Sequence, residues 1–598
     1  MIRKFKKEIC FVVFMVRIAV VEKQKCNSLE CGNYLCIRLC PVNRTGKECI
    51  VEGEDKKAVI NEEMCTGCGI CPKRCPFEAI HIINLPEEMK SDPIHRFGKN
   101  GFALYSLPTP IFGKVVGIIG VNGIGKSTAI KILAGVLKPN LGKEKEADFA
   151  ELVNFFKGTE AQKFFEYLRD NKIKVSYKPQ QVEIIPKTAK GTVRDLLKRI
   201  DEDNRLKEIA DKLELNNILD NDITEISGGE LQRVAIAATV LKKAQLYIFD
   251  EPTSYLDIKQ RLAVSKFIKS LVNDKTAVLV IEHDLIAFDY MTDLVHIMYG
   301  KQAAYGVVSN PKESKVGINA YLDGYLKDDN VRFRDHKIHF DVYEKHKAKD
   351  EPELIIWENI SKKLGNFKLS TEKGSIKRHE VVGVVGENGI GKTTFVKILA
   401  GVIDKDSGEV DKRVKVSYKP QYIDSSSEDL VLDFLKEVIQ KYSNDVINPL
   451  NIKQLFMRRL KDLSGGELQK VAIAKALGQD VDLILLDEPS AYLDIEQRIF
   501  TSKVIKNFME IRGKSSLVVD HDLLFIDNLS DRILFFDGIP AKEGTAKGPF
   551  LMEDGMNRLL KEVDITLRRE EESGRPRINK PASVKDREQK SKNKYYYS

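Results

Sequence analysis

GIIGVNGIGKSTAIKILAGV at 117–136 and GVVGENGIGKTTFVKILAGV at 383–402 are two versions of one phrase, and reading it decides the fold. Each holds a G-x4-G-K-[ST] loop, from Gly120 to Ser127 and from Gly386 to Thr393. Glycines let backbone N–H groups close around phosphates, lysine reaches the β/γ oxygens, and the hydroxyl faces Mg²⁺. An apolar, β-branched run precedes each loop and a helical pattern follows, so each cradle sits between a strand and a helix. The candidate nucleotide-binding residues are Asn122, Gly123, Gly125, Lys126, Ser127 and Thr128 in the first copy. In the second they are Asn388, Gly389, Gly391, Lys392, Thr393 and Thr394.

Working outward, the repeat continues in the same order. ISGGELQRVAIA is matched by LSGGELQKVAIA, and LYIFDEPTSYLDIKQR by LILLDEPSAYLDIEQR; Ser227 to Asp250 and Ser464 to Asp487 both span 23 residues. A duplicated α/β cassette explains this. Asp250 and Asp487 close the apolar runs YIF and ILL, where a strand-end carboxylate can hold Mg²⁺. Glu251 and Glu488 follow as candidates to orient and deprotonate an attacking water. The copies differ in one place: Lys126 to Gln180 is 54 residues and Lys392 to Gln421 is 29, which locates an insertion of about 25 residues near 142–172. Its sequence reads as two short amphipathic helices around Lys157-Gly158-Thr159, with Phe155, Phe156, Phe164 and Phe165 on their apolar sides.

All ten cysteines lie between Cys10 and Cys75. The run Cys65-x2-Cys68-x2-Cys71-x3-Cys75-Pro76 has the spacing with which bacterial ferredoxins hold four-iron clusters. Because the fourth cysteine of such a run ligates the other cluster, a second run is required, and Cys26-x4-Cys31-x4-Cys36-x3-Cys40-Pro41 supplies it. The expected sets are Cys26, Cys31, Cys36 and Cys75 for cluster one, and Cys65, Cys68, Cys71 and Cys40 for cluster two. Zinc also takes four thiolates, and disulfides are the remaining alternative, one that needs an oxidising compartment. Cys10 and Cys49 fall outside both runs.

With 598 residues, 42% of them hydrophobic, the chain exceeds one hydrophobic core and should form several domains. A net charge of +8, from 96 basic and 88 acidic residues, permits an anionic partner without demanding one. No apolar stretch approaches the roughly 20 residues that span a bilayer, which excludes membrane-embedded classes. The opening residues have a basic start and a short apolar core but no small-residue cleavage site, so residues 1–14 are read as an upstream extension before Met15. The expected domains are an iron–sulfur domain at 15–88, cassettes at 89–308 and 351–560, a charged, turn-rich hinge at 309–350, and a C-terminal hinge segment with a basic tail at 561–598. A disordered tail is the simplest expectation for 586–598.

The Ser-Gly-Gly-Glu signatures, with the phosphate loops, resemble the ATP-binding-cassette family over residues 95–310 and 350–550. The resemblance implies an ATPase whose cassettes face each other head to tail, each ATP lying between one phosphate loop and the opposite signature. Lys126, Asp250, Glu251, Gln180 and His283 would then pair with Ser464 and Gly466. Lys392, Asp487, Glu488, Gln421 and His521 would pair with Ser227 and Gly229. Ser127, Gln180, Thr393 and Gln421 would share the Mg²⁺, and His283 and His521 would contact the γ-phosphate. Phe97, Phe102 and Phe367 are candidates to stack on adenine; Leu364 stands where the family often carries an aromatic.

Two ferredoxin-type cysteine runs ahead of two cassettes, together with CPVNRTGK at 40–47, VGINAYLDGYL at 316–326 and RPRINKPASVKDREQK at 575–590, resemble a narrower family, the ribosome-recycling ATPases formerly called RNase L inhibitor, of archaeal type. That resemblance implies a cytoplasmic monomer with two [4Fe-4S] clusters. Working with a release factor or Pelota-like rescue factor, it would contact the small subunit and ribosomal RNA and split the ribosome by ATP-driven closure. The alternative is an electron-transfer protein in which ATP gates the clusters.

Overall fold

A computed structural model describes residues 17–28, 30–84, 92–340, 351–411, 414–421 and 427–597. The expected extension at 1–14 and Cys10 lie outside them. The two cassettes are built on the same five parallel strands. In the first, Val175–Lys178, Leu246–Asp250, Ala277–Ile281, Val115–Ile119 and Leu294–Lys301 lie side by side in that order. In the second, Val416–Lys419, Leu483–Asp487, Ser515–Val519, Val381–Val385 and Arg532–Ile539 repeat it. The three central strands of each set are buried along their whole length, which is why they read as unbroken apolar runs rather than as alternation. This order places the phosphate loop and the carboxylate-ending strand on one edge of the sheet, one strand apart.

The insertion folds as expected into helices Phe149–Phe155 and Glu160–Arg169, the first closed by a reciprocal Asp148–Glu151 capping box. Phe156, Phe164 and Phe165 are buried, and Phe156 stacks on Phe165 at 5.1 Å. Phe155 departs from expectation: the helix turns it outward, and it is exposed.

The segment read as a hinge is a packed element over its described part. Helix Ser314–Asp323 packs on strand Leu294–Lys301 of the first cassette and places Ile318, Tyr321 and Leu322 in a core that holds Val295 and Ile297 from the first cassette and Ile495, Ile499 and Phe525 from the second. Their i, i+3, i+4 spacing supplies the apolar stripe that the surrounding charges obscure. Residues 341–350 of the expected hinge lie outside the described residues.

The tail expected to be disordered is ordered through Tyr597. Strands Leu567–Arg569 and Pro576–Ile578 pair, Ser583 caps helix Val584–Ser591, and Tyr596 is buried. This segment grips both cassettes at matched positions, each six residues beyond the EHD or DHD histidine. Arg575 and Arg577 bind Asp289 at 3.1 and 2.6 Å, while the hydroxyls of Tyr596 and Tyr597 donate to Asp527. Overall hydrophobicity is low here because few, large contacts carry the packing.

The N-terminal domain joins the first cassette through Asn100. Its buried amide donates to Ala19 O and accepts from Ile60 N, both at 2.8 Å, while Arg96 pairs with Glu62. No helix among the described residues is long and apolar enough to cross a membrane.

Candidate functional site

Each phosphate loop needs glycine where the chain turns left-handed: φ is 74° at Gly123 and 96° at Gly125, and 74° at Gly389 and 95° at Gly391. Gly125 and Gly391 lead into helices Lys126–Leu133 and Lys392–Leu399, so Ser127, Thr128, Thr393 and Thr394 sit in first turns whose free N–H groups favour an anion. Lys126 Nζ donates to Gly120 O at 2.7 Å and Lys392 Nζ to Gly386 O at 2.9 Å, each ammonium held inside its own loop.

Asp250 and Asp487 end their strands almost wholly buried, and none of their four carboxylate oxygens has a well-formed hydrogen bond. Burial pushes Asp250 up to about 6 and Asp487 upward, although the nearby hydroxyls of Ser127 and Thr393 work against this. A buried carboxylate left without donors beside a hydroxyl fits a divalent cation that also binds phosphate.

Glu251 and Glu488 adopt the left-handed backbone conformation, with φ of 49° and 47°, which a residue with a side chain rarely takes. The same strain at the same position in both copies aims each carboxylate toward its phosphate loop's edge of the sheet. Gln180 donates to Glu251 at 2.6 Å and Gln421 to Glu488 at 2.7 Å. His283 Nε2 lies 3.4 Å from Glu251, and His521 Nε2 lies 3.9 Å from Glu488.

Residues that the motif reading passed over support this turn. Buried Lys178 Nζ donates to the carbonyls of Asp250 and Glu251 at 2.9 and 3.1 Å, and Lys419 does the same for Asp487 and Glu488 at 2.7 and 3.3 Å. Gln232 and Gln469 donate to the Glu251 and Glu488 carbonyls at 2.6 and 2.7 Å. The signal for them was present: VSYKPQ recurs at 175–180 and 416–421, and GGELQ in both signatures.

Ser227 and Ser464 cap the signature helices Gly228–Leu241 and Gly465–Leu477 and remain exposed. Gly229 and Gly466 pack against the backbones of Tyr255 and Tyr492. The cassettes meet beside these tyrosines. Asn388 N donates to Asp257 at 2.9 Å and its amide to Tyr255 O at 3.2 Å; Asn122 N donates to Asp494 at 3.0 Å. Each phosphate loop therefore adjoins the signature end of the other cassette, in the expected head-to-tail sense.

The three aromatic candidates separate by environment. Phe102 and Phe367 occupy equivalent places with their rings against Gly125 and Gly391. Phe97 and Leu364 are the equivalent exposed pair, 47% and 41% accessible, opposite Phe102 and Phe367 in their hairpins.

In the N-terminal domain Cys26, Cys31, Cys36 and Cys75 line one hollow. Burial, then the neighbouring Cys26, Cys31 and Cys75, push the Cys36 thiol up to about 11. Burial, then Cys65 and Cys68, push Cys71 up to about 12, and Cys49 is raised by burial and by Cys40 and Cys65. The first expected set thus lines one hollow, while of the second Cys65 and Cys68 lie near Cys71, and Cys40 and Cys65 near Cys49. Four thiols around one hollow form a donor set that a four-iron cluster uses.

Comparison with known proteins finds family matches along the chain. The ABC transporter family model matches residues 112–254 and 369–491, a Fer4-like domain described from RNase L inhibitor matches 16–48, and a 4Fe-4S binding domain matches 58–81. An uncharacterized ABC transporter ATP-binding protein of Methanocaldococcus jannaschii is 49% identical over 97% of this chain and 98% of its own. Among solved structures, the archaeal ABCE1 in a model of ribosome-bound Pelota and ABCE1 matches with a TM-score of 0.92 and 50% identity, over 98% of this chain and 99% of that one. The archaeal ribosome recycling factor aABCE1, in a complex with the ribosomal stalk protein aP1, matches with a TM-score of 0.81 and 49% identity, over 85% of this chain and 99% of that one. The chain therefore belongs to the ABCE1, or RNase L inhibitor, family of ATPases, in which an iron–sulfur domain precedes two ATP-binding cassettes.

Proposed function

We propose that this protein is an ATP-driven ribosome recycling factor that separates the large and small subunits after termination or rescue, acting in the cytoplasm with a Pelota-like or release factor. The observation that carries the reading is the match over nearly the whole chain, at 50% identity, to an ABCE1 placed on the ribosome beside Pelota.

In this reading each ATP lies between the phosphate loop of one cassette and the signature of the other. Lys126 and Lys392 bind the β/γ oxygens, and exposed Ser464 and Ser227 meet the γ-phosphate from across the interface. Ser127, Gln180 and Asp250, with Thr393, Gln421 and Asp487, would hold Mg²⁺, which when bound neutralises charge on the transferred phosphoryl group. Glu251 and Glu488, turned by their strained backbones, accept the proton of the attacking water, while His283 and His521 contact the γ-phosphate. The γ-phosphate supplies charge and acceptors to both halves, so its loss lets them part. Phe97 stacks on adenine in the first site; Leu364 offers only apolar contact in the second.

The two thiol groups would hold two [4Fe-4S] clusters, Cys26, Cys31, Cys36 and Cys75 around one and Cys65, Cys68, Cys71 and Cys40 around the other. They stiffen a domain too small for a large core. Closure of the cassettes would move this domain against the factor in the decoding site. The exposed, lysine-bearing insertion would face ribosomal RNA, where cations neutralise phosphates.

The test is sedimentation of stalled ribosomes after adding anaerobically purified protein, rescue factor and ATP. Free subunits appearing only with ATP are expected. Intact ribosomes, despite full iron content and ATP turnover, would overturn the reading and favour ATP-gated electron transfer.

A further inference from the structure

Each cassette contains a largely covered arginine, 13% and 15% accessible at the side chain, that the hydrolysis chemistry does not use. Arg261 Nη1 donates to Asp284 at 2.7 Å and its Nε to Leu256 O at 2.8 Å. Arg498 repeats this with Asp522 at 2.8 Å and Leu493 O at 2.9 Å. The partners lie at two informative places. Leu256 and Leu493 directly precede Asp257 and Asp494, the carboxylates that receive Asn388 N and Asn122 N from the opposite phosphate loops. Asp284 and Asp522 directly follow His283 and His521, and their other carboxylate oxygens cap the helices Leu285–Met291 and Leu523–Leu529.

A continuous path results. It starts at the phosphate loop of the second cassette and passes through Asp257, the Leu256 carbonyl, Arg261 and Asp284 to reach His283 in the first site. Its mirror runs from the first phosphate loop through Asp494, Leu493, Arg498 and Asp522 to His521. The two meet in a cleft lined by His283 and Leu285 from one cassette and Arg498 and Asp522 from the other. A guanidinium suits this place because its planar fork holds a carboxylate and a carbonyl at once in fixed geometry, which a lysine cannot do.

We propose that Arg261 and Arg498 are positioning residues that tie the histidine of each nucleotide site to the phosphate loop of the other, so that filling one site sets hydrolysis in its partner. The inference rests on the proposed roles of the glutamates and phosphate loops. A buried ion pair can also serve stability alone, so the test must read coupling rather than activity.

Turnover at the first site is measured in two backgrounds: Glu488→Gln, whose second site binds ATP without hydrolysing it, and Lys392→Met, whose second site does not bind. The ratio of the two rates is the coupling. With Arg261 present a ratio of about tenfold is expected, within the usual range of site–site coupling. Arg261→Met should bring it close to one, and Arg261→Lys should recover part of it. Should Arg261→Met fail to fold, Asp284→Asn breaks the same path and carries the test. An unchanged ratio in a folded variant, or a ratio near one with Arg261 present, overturns the proposal. Failure of the underlying site assignment would show separately, as ATP turnover surviving in the Glu251→Gln/Glu488→Gln double variant.

Discussion

The two nucleotide sites share a backbone and the same charge type at each matched neighbour, and they hold their glutamates differently. The glutamate φ angles agree within 2°, and the glutamine contacts within 0.1 Å. Yet Glu251, which burial alone would raise, is drawn down to about 2 by His283, Lys126 and Arg498 of the other cassette, whereas burial, Asp520 and Asp487 push Glu488 up. Burial and the nearby Lys392 and Arg261 hold His521 well below the usual histidine range. The residue before the histidine is Glu282 in one site and Asp520 in the other, each tied to a hydroxyl at 2.7 Å. Duplication has kept the backbone and the charge type of these neighbours, so the difference lies in side-chain placement: His283 lies 3.4 Å from Glu251 and His521 3.9 Å from Glu488, and equal scaffolds need not turn over equally.

The largest expected effect comes from removing the hydrolytic carboxylates one at a time. Glu251→Gln and Glu488→Gln should each cut hydrolysis at their own site by about 10²- to 10⁴-fold, the range for loss of a general base, while ATP still binds. Single-turnover hydrolysis with the other site blocked checks this; turnover near the parent rate at either site would remove that glutamate from the mechanism.

Next in size is the grip of the C-terminal segment on the two matched aspartates. Asp289→Ala leaves Arg575, 0% exposed, without its partner and should cost about 3–5 kcal/mol. Asp527→Ala removes the acceptor of the Tyr596 and Tyr597 hydroxyls and the partner of the partly exposed Arg569 at 3.5 Å, and should cost about 1–3 kcal/mol. Denaturant unfolding compares them, and equal losses would mean that the buried arginine does not set the difference.

A smaller effect is expected at the adenine contacts. Phe97→Ala should weaken ATP binding in the first site by about 1–3 kcal/mol, the worth of one base stacked on an aromatic, and Leu364→Phe should strengthen the second site in the same sense. Nucleotide titration of site-blocked variants reads both. If neither affinity moves, Phe102 and Phe367 become the contacts to test.

The smallest is a pH effect at Glu570, a buried carboxylate below Lys315. Burial would raise it, but Ser573 and Lys315 hold it at about 2, below its ordinary 4.5. Because the folded value is depressed, its stabilisation is complete above pH 4.5 and is lost as pH falls toward 2. Glu570→Gln should therefore melt lower than the parent at neutral pH, with the gap closing on acidification; a constant gap would contradict this.

Much of this was legible in the sequence because the chemistry needs fixed residue types at short range. Gly125, Lys126 and Ser127 must be adjacent to hold a phosphate, and the run of four cysteines ending at Cys75 must be close-spaced to wrap a cluster. What stayed hidden depends on distant partners. Arg261 and Lys178 look like surface charges until the fold brings Asp284 and the Glu251 carbonyl to them. The helix at Ser314–Asp323 reads as a linker because charges surround its apolar stripe, which packs on Val295 and Ile297 of the first cassette as well as on the second. Phe155 was misplaced because one turn of a short helix leaves its inward face ambiguous.

The central claim, that ATP closes the cassettes and hydrolysis reopens them, is tested most directly by counting subunits released per protein molecule, with ribosomes and rescue factor in excess. The parent should release many pairs of subunits per molecule. The Glu251→Gln/Glu488→Gln double variant, able to close but not to reopen, should release at most one. A double variant that cycles as often as the parent would show that reopening does not require hydrolysis and would contradict the account.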